Sequence, residues 1–215
     1  MIAAYKYCDP DGHAAMLRGS IRLRRLSFYR RSEAGGVQDP LDGRSEVRMT
    51  RTFGPGDRIG VQGWPNNISL ISVEGDDSSV TWKGGTMAAE LNPLVFCSAS
   101  SRDDHYWQNE HDAHYGGLIG IFDFQKLASR ISNALYEIGM RNTFDLCAIN
   151  YRAPAPMTGD NIPAPDPCVK SESFHKEKEI RAIFLCEKEK PKEMSQTTDV
   201  QIEAAEFLMN LRTPE

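Results

Sequence analysis

The chain has 215 residues, of which 40% are hydrophobic and 26% are charged, and its net charge is -5. These values suit a single globular domain and exclude a chain that is disordered throughout. No run of about 18 apolar residues occurs, so the sequence predicts neither a membrane-spanning helix nor a membrane partner.

The N-terminal residues indicate a strand followed by a short helix. Residues 2–8 have the composition of a short strand. Asp9 and Pro10 stand in the order typical of a helix N-cap and a first helical residue, and Gly19 suits the left-handed position that ends a helix. The stretch becomes charged and rich in turn residues too early for a signal peptide, so we expect a cytoplasmic protein.

The next part of the chain predicts strands separated by a long loop. Residues 21–29 alternate as a strand, with a change of phase between Arg24 and Arg25 that suggests a bulge or bend. Residues 33–66 are rich in Gly, Pro, Asp and Arg and are predicted to be loop. Further strands are predicted at 67–74 and 79–83, joined as a hairpin, and at 93–100 and 117–122.

The clearest helical pattern follows Asp123, a potential N-cap, and ends at Gly139. Strands are predicted at 145–151 and 180–186, separated by a proline-rich loop at 153–168. The capping-box sequence at 198–201 predicts a C-terminal helix at about 199–212.

The order of these elements lacks the regular strand–helix alternation of a doubly wound parallel sheet. The sequence therefore predicts an α+β fold: a single globular domain over residues 1–215, with a mixed, largely antiparallel sheet and a few flanking helices.

The five cysteines are widely spaced, odd in number and form no CxxC pair. This pattern predicts reduced thiols, as in a cytoplasmic protein, and neither a disulfide framework nor a zinc knuckle. The common signatures of P-loop, dinucleotide-fold, serine-hydrolase and zincin sites are also missing.

Residues 18–58 contain ten arginines and five acidic residues, so this segment is basic within an acidic chain. Arginine binds phosphate oxygens through two parallel hydrogen bonds, which makes a phosphate site on a nucleotide or nucleic acid one hypothesis. Pairing with the acidic remainder of the chain is the alternative.

The segment 103–114 combines three histidines with four acidic residues. Such side chains ligate metals, so a metal-dependent hydrolase is one hypothesis, although the spacing matches no known closed metal site. The alternative is a charged polar loop. Tyr106 and Trp107 are candidates either to stack on a base or to pack over the edge of the core.

Glu177 and Glu179 precede an apolar strand and are two residues apart, which would place them on one strand face together with Arg181. Two adjacent carboxylates repel, so the pKa of one can rise and suit it to acid–base chemistry; alternatively both can bind ribose hydroxyls. A charged strand edge that discourages aggregation is the non-functional interpretation.

A set of short motifs, in order over about residues 5–185, resembles a bacterial family known only as domain-of-unknown-function 2971. The motifs are Tyr5-Lys6-Tyr7, Arg25-Leu26-Ser27-Phe28, Gln38-Asp39-Pro40-Leu41-Asp42, the group Trp107, His114, Gly117, Phe122 and Asp123, and Glu177-Lys178-Glu179-Ile180-Arg181. Gln38 and Glu110 depart from the family pattern, which usually has Asn and Tyr there. The resemblance makes Asp39, Trp107, His114 and Arg181 candidate site residues but implies no established activity.

Tyr5-Lys6-Tyr7, Ser27 and the pair Glu177-x-Glu179 follow one another in an order that is similar to that of the motifs of ADP-ribosyltransferases, which act on NAD without a metal. This resemblance implies that Glu179 binds the ribose 2′-hydroxyl and stabilises an oxocarbenium-like charge, while Glu177 orients or deprotonates the acceptor. The implied cofactor-binding residues are Tyr5 or Tyr7 stacking on nicotinamide, Arg24 or Arg25 holding the pyrophosphate, and Ser27 on the second strand.

Three functions therefore follow from the sequence: an NAD-using ADP-ribosyltransferase-like protein, a non-catalytic regulatory or defence module that binds a nucleotide or protein, and a metal-dependent hydrolase built on 103–114. A nucleotide or another small molecule is the expected ligand. The acceptor, whether protein or nucleic acid, and the oligomeric state are left open.

Overall fold

The computed structural model describes residues 3–31, 39, 42, 44–53, 58–60, 69–72, 80–111, 115–152, 157–158, 165–186, 196–203 and 206–213. Its main feature is a largely antiparallel sheet of eight strands with a few helices against it, which confirms the predicted α+β class.

The helices and strands follow one another in a mixed order. They are β1 Ala4–Cys8, α1 Pro10–Leu17, β2 Ser20–Arg25, α2 Leu26–Arg31, β3 Arg44–Phe53, β4 Arg58–Gly60, β5 Ser69–Ser72, β6 Val80–Glu90, β7 Leu94–Ala99, a π-helix Tyr106–His111, β8 Gly117–Ile121, α3 Phe124–Glu137, β9 Asn142–Ala148, β10 Asn150–Arg152, β11 Met157–Thr158, β12 Val169–Ser171, a 3-10 helix Glu172–Glu177, β13 Glu179–Cys186, β14 Thr197–Gln201 and β15 Leu208–Arg212.

The large sheet branches at β7. Strand β13 pairs with the whole of β7 along one edge and with β9 on its own other side. The opposite edge of β7 is shared by β1, which pairs there through Tyr5 and Ala99, and by β2, which pairs through Arg24 and Arg25. Strands β8 and β15 extend the sheet beyond β1, and β14 extends it beyond β2. The two branches leave a gap along the middle of β7, which we call the fork.

The core lies on the face of the sheet that α3 covers. Asp123 caps this helix by accepting a hydrogen bond from the backbone N–H of Lys126 at 2.9 Å. The buried face of α3 packs against β7 and β13, through side chains that include Phe124, Leu127, Ile131, Phe96 and Phe184. On the opposite face of the sheet, β13 carries the side chains of Glu179 and Arg181, which alternate with its core residues.

Several sequence predictions are confirmed by these elements. Asp9 caps α1 through a 2.6 Å bond from the N–H of Gly12, with Pro10 at the first position. Gly19 and Gly139 follow their helices at φ 84° and 90°, the left-handed conformation that glycine adopts without strain. The strands predicted at 93–100, 117–122, 145–151 and 180–186 are all present within a few residues.

The change of phase between Arg24 and Arg25 is not a bulge. It marks the end of β2, after which α2 begins at Leu26. The long loop predicted for 33–66 is also wrong, since β3 and β4 lie within it, and the predicted hairpin does not form because β5 pairs with β4 and β6 pairs with β3.

The predicted C-terminal helix at 199–212 is wrong, because this stretch carries the strands β14 and β15. Asp199 lies opposite Arg22 on β2 and pairs with it at 2.9 Å, while Val200 and Ile202 are buried in the core. Pairing with two open sheet edges prevails over the local capping-box signal, which is a weak determinant beside tertiary packing.

The proline-rich loop predicted for 153–168 is interrupted by β11 at Met157–Thr158, which pairs in parallel with β3. Residues 165–168 form the loop and turn that lead into β12. The remaining positions of the predicted loop lie outside the described residues.

Candidate functional site

Glu179 begins β13, which lies between β7 and β9; it pairs with Ala99 of β7, and its carbonyl accepts a 3.0 Å bond from the N–H of Ile149, just after β9, so Glu179 is not on a sheet edge. Glu177 is instead the last residue of the 3-10 helix, and Lys178 between them takes a left-handed backbone conformation with φ 46° and ψ 45°. The two glutamates therefore do not alternate on one strand as predicted. Both are nonetheless buried, 4% and 6% exposed, and meet at the same ammonium group.

That ammonium group belongs to Lys170 on β12, which is itself 6% exposed. Its Nζ donates hydrogen bonds to Glu177 Oε2 at 2.6 Å and to Glu179 Oε2 at 3.1 Å. Parallel pairing of β12 with β10 places Lys170 beside Tyr151, whose hydroxyl accepts a 2.7 Å bond from the N–H of Glu179. The ammonium thus holds together two carboxylates that would otherwise repel.

Arg181 joins Glu179 to a third carboxylate. Its Nε donates to Glu179 Oε1 at 2.5 Å, and its two terminal nitrogens donate to Asp42 at 2.6 and 2.8 Å. Arg181 and Asp42 are 1% and 0% exposed. With Lys170 and Glu177 they form a buried cluster, hereafter the charge cluster, of three carboxylates and two cations.

The charge cluster determines the ionisation of Glu179. Burial alone would raise its pKa, but the charges of Arg181 and Lys170 outweigh burial and hold the pKa well below its ordinary value. Burial would likewise lower the pKa of Lys170, and Glu179 and Glu177 raise it instead. The pKa of Glu179 is therefore not the one that repulsion within the pair raises, and Glu179 is ionised at neutral pH.

A cavity of about 530 Å³ opens beside the charge cluster and extends through the fork. The strand register places Tyr5, Ala99 and Glu179 in one row across β1, β7 and β13. Neighbouring strands are about 4.8 Å apart, so Tyr5 and Glu179 face each other over roughly 10 Å with the small Ala99 between them. The row thus forms a slot with an aromatic wall, an acidic wall and an alanine floor.

The aromatic residues at one end of the cavity pack on one another. Trp107 stacks on Tyr7, with ring centroids 4.9 Å apart, and contacts Tyr115 edge to face. Tyr7 is 4% exposed, donates its hydroxyl to Asp104 at 3.1 Å, and has a pKa raised by burial to about 12. Because Tyr7 is packed on Trp107, the half-buried Tyr5 is the tyrosine of the motif that is better placed to meet a ligand.

The predicted phosphate-binding residues separate in the structure. Arg24 lines the cavity and lies over the ring of Phe28, with its guanidinium carbon 4.3 Å from the ring centroid. Arg25 is buried and donates to the carbonyl of Asn92 at 3.0 Å, and Ser27 donates to Gln196 at 2.8 Å. The structure places neither Arg25 nor Ser27 on the cavity wall.

The remaining candidates lie around the charge cluster. Asp39 is buried and accepts a 2.9 Å bond from the N–H of Ser171, which anchors the strand that carries Lys170. Arg181 is a member of the cluster and Trp107 lines the cavity. His114 lies outside the described residues.

The segment proposed as a metal centre begins with two aspartates that are engaged by neighbouring protein groups. Asp104 accepts bonds from Arg102 at 2.6 Å and from Tyr7, and Asp103 accepts one from the N–H of Tyr106 at 3.1 Å. No group of three or more His, Cys, Asp or Glu side chains with metal-binding geometry is found in the part of the chain that the structure describes.

A disulfide joins Cys147 on β9 to Cys168, which corrects the prediction that all cysteines are reduced. Sequence spacing alone did not indicate this pair, because 21 residues separate the two cysteines and only the sheet brings them together. Cys147 and Cys97 lie on either side of Arg181 in the strand register. Burial and the neighbouring Glu179 raise the pKa of the Cys97 thiol to about 12, so this thiol is protonated and unreactive at neutral pH.

The sequence predictions missed Lys170, Asp42, Tyr151 and Ala99. Asp42 lies in the predicted loop 33–66, Lys170 lies between the predicted loop 153–168 and the predicted strand 180–186, and Ala99 belongs to an apolar strand whose small residue has no signature of its own. The one sequence signal for Asp42 is its place at the end of the motif Gln38-Asp39-Pro40-Leu41-Asp42.

Comparisons with protein-family models, with curated proteins and with solved structures give no significant match. The resemblances inferred from the motifs therefore remain predictions. Within the described residues, no helix has the length and apolar character needed to cross a membrane.

Proposed function

We propose that this protein binds NAD in the cavity and cleaves its nicotinamide–ribose bond, as an ADP-ribosyltransferase-like protein. One observation supports the proposal: a single cavity is lined by Glu177, Glu179, Tyr5 and Arg24. These are the three kinds of group that a ribose, a planar base and a phosphate require.

The acidic wall suits the reacting ribose. Glu179 is ionised because Arg181 and Lys170 stabilise the anion, so it can accept a hydrogen bond from a ribose hydroxyl. Cleavage of an N-glycosidic bond builds positive charge on the ribose, and a fixed carboxylate stabilises that charge without reorganising during the reaction. The three carboxylates of the charge cluster exceed its two cations, which favours a cationic transition state.

The aromatic wall suits the departing base. A ring above Ala99 would contact Tyr5 on one side and place its glycosidic bond towards Glu179. Stacking of a planar base on an aromatic side chain contributes about 1–3 kcal/mol. The pyrophosphate would then extend along β2 towards Arg24.

The chemical step needs no group beyond the protein, NAD and an acceptor. The carbon–nitrogen bond breaks with its electron pair on nitrogen, which releases neutral nicotinamide. An acceptor hydroxyl, amine or water adds to the ribose carbon and gives up a proton. Glu177 lies beside Glu179 on the shared Lys170 and is the candidate to orient that acceptor.

The second candidate function is a module that binds a nucleotide without cleaving it. The same ion pairs that keep Glu179 anionic also occupy both of its oxygens, which favours a positioning role for this residue over a reacting one. Binding of NAD without release of nicotinamide would support this candidate.

The test is nicotinamide release from NAD, followed by chromatography, for the wild-type protein and for Glu179→Gln. We expect release by the wild type and a loss of at least about 100-fold in the variant, the effect typical of removing one electrostatic contact to the transition state. Glu137→Gln, on the exposed side of α3, is the matched control and should retain full activity. Circular dichroism of each variant shows whether it is folded; absence of release by the folded wild type would contradict the enzymatic proposal.

A further inference from the structure

The fork holds two polar side chains that the proposed reaction does not use, Lys6 and Ser98. Both line the cavity, and continuing the antiparallel alignment from Tyr5 and Ala99 places Lys6 directly across from Ser98. The regular pairing of β1 with β7 ends at Tyr5 and Ala99, so Lys6 and Ser98 lie just beyond it.

Lys6 is a half-buried cation without a carboxylate partner among the described residues. Its Nζ donates to the carbonyl oxygen of Cys97 at 2.7 Å and lies 5.3 Å from the centre of the Phe96 ring. An ammonium group has three donors, and a carbonyl and an aromatic face do not neutralise its charge. A partly desolvated cation in this condition attracts an anion.

Ser98 supplies a second donor at the same place. Its residue is 6% exposed, and its hydroxyl oxygen is buried without a hydrogen-bond partner in the described part of the chain. Buried hydroxyl groups in native proteins are nearly always hydrogen-bonded, so one without a protein partner on a cavity wall calls for an ordered water or a ligand as its partner.

Three further charged residues, Asp9, Asp11 and Arg22, line the same cavity. Asp9 and Asp11 are exposed residues at the start of α1, and Arg22 is engaged with Asp199 at 2.9 Å. Because Arg22 already has a carboxylate partner, Lys6 is the cation left to bind an anion beside Ser98.

We propose that the fork is a binding site for one phosphate group, free or carried by a nucleotide, with Lys6 as its cation and Ser98 as its hydroxyl donor. The site is independent of the chemistry proposed for Glu179, because its occupant is recognised by charge and hydrogen bonding alone. Its position also differs from that of Arg24, the residue proposed above to meet the pyrophosphate of NAD.

The experiment is a phosphorus NMR titration of the full chain with inorganic phosphate at constant ionic strength, repeated with AMP. We expect saturable binding to the wild type, at least about tenfold weaker binding to Lys6→Met, and weaker binding to Ser98→Ala, since a charge-assisted hydrogen bond contributes more than a neutral one. Lys6→Arg keeps the charge and should retain binding, which separates loss of the cation from misfolding. Lys126→Met, which changes an exposed lysine on α3, is the matched control.

Tighter binding of AMP than of inorganic phosphate, with both lost in Lys6→Met, would identify a nucleotide as the carrier; equal affinities would identify free phosphate. Absence of saturable binding to the wild type, or equal weakening by Lys6→Met and Lys126→Met, would overturn the proposal. The titration measures phosphate binding and not nicotinamide release. The phosphate site and the proposed role of Glu179 can therefore be contradicted independently of each other.

Discussion

Replacing Arg181 with methionine removes the cation that two buried carboxylates share. Asp42, which is 0% exposed, would lose its two hydrogen bonds from the guanidinium, at 2.6 and 2.8 Å. Glu179, which is 6% exposed, would lose a hydrogen bond of 2.5 Å. Removing one partner of a buried ion pair costs about 3–5 kcal/mol, a large part of the roughly 5–15 kcal/mol that stabilises a typical domain. With a urea m-value of about 2 kcal/mol/M, a loss of about 4 kcal/mol lowers the unfolding midpoint by about 2 M.

The control for this substitution is Arg22→Met. Arg22 also makes two hydrogen bonds to one carboxylate, that of Asp199, but both side chains are about half exposed. A solvent-exposed pair contributes at most about 1 kcal/mol, so the control should unfold close to the wild type. Urea unfolding followed by circular dichroism compares the three proteins.

The effect of Arg181→Met on the free energy of unfolding should also depend on pH, which provides a second test of the charge cluster. In the wild type the pKa of Glu179 is lower in the folded than in the unfolded state, so its contribution is present above the unfolded pKa of about 4.3 and is lost as the pH falls through the folded value. Without the charge of Arg181, burial raises the pKa of Glu179 in the folded state. The free energy of unfolding of the variant therefore increases as the pH falls from 7 towards 5. The difference in free energy of unfolding between the wild type and Arg181→Met should therefore become smaller as the pH falls. If this difference in free energy of unfolding is constant with pH, or is no larger than the one that Arg22→Met causes, the charge cluster does not stabilise the fold as argued.

Three further predictions concern other parts of the structure. Unfolded without reductant, the protein should react with three equivalents of a thiol reagent, because Cys147 and Cys168 are paired, and with five after reduction; five before reduction would exclude the disulfide. Gly117→Ala should lower the free energy of unfolding by about 1–3 kcal/mol, because the new methyl group would lie 2.8 Å from the His13 ring, and the loss should shrink in a His13→Ala background. Ser98→Ala should raise the free energy of unfolding by about 1 kcal/mol in phosphate-free buffer, since it removes a buried hydroxyl without a protein partner, and a decrease would indicate that this hydroxyl is bonded in solution.

The parts of the fold that were predictable from the sequence are those set by local signals. Asp9 and Asp123 identify the starts of α1 and α3 because a side-chain oxygen at an N-cap satisfies a backbone N–H within three residues. Gly19 and Gly139 identify their ends for a similarly local reason. Apolar strands such as β7 are recognisable because they are buried on both faces.

The parts that were not predictable depend on distant partners. Residues 199–212 contain a capping-box signal, yet they become strands because β2 and β8 have open edges that only the folded sheet presents. The same holds for the charge cluster, in which Asp42 and Arg181 are 139 residues apart. The sequence indicated Glu177 and Glu179 as a pair but not the lysine that joins them, because Lys170 reaches them through a short parallel strand that has no sequence signature.

The most direct test of the proposed cavity is a calorimetric titration of the protein with NAD. We predict saturable binding at one site per chain, at least about tenfold weaker for Tyr5→Ala, because a stacked base contributes about 1–3 kcal/mol. Tyr136→Ala, which changes a tyrosine that is 63% exposed on α3, should bind as the wild type does. Absence of binding to the folded wild type, or equal binding by the two tyrosine variants, would contradict the assignment of the cavity to NAD.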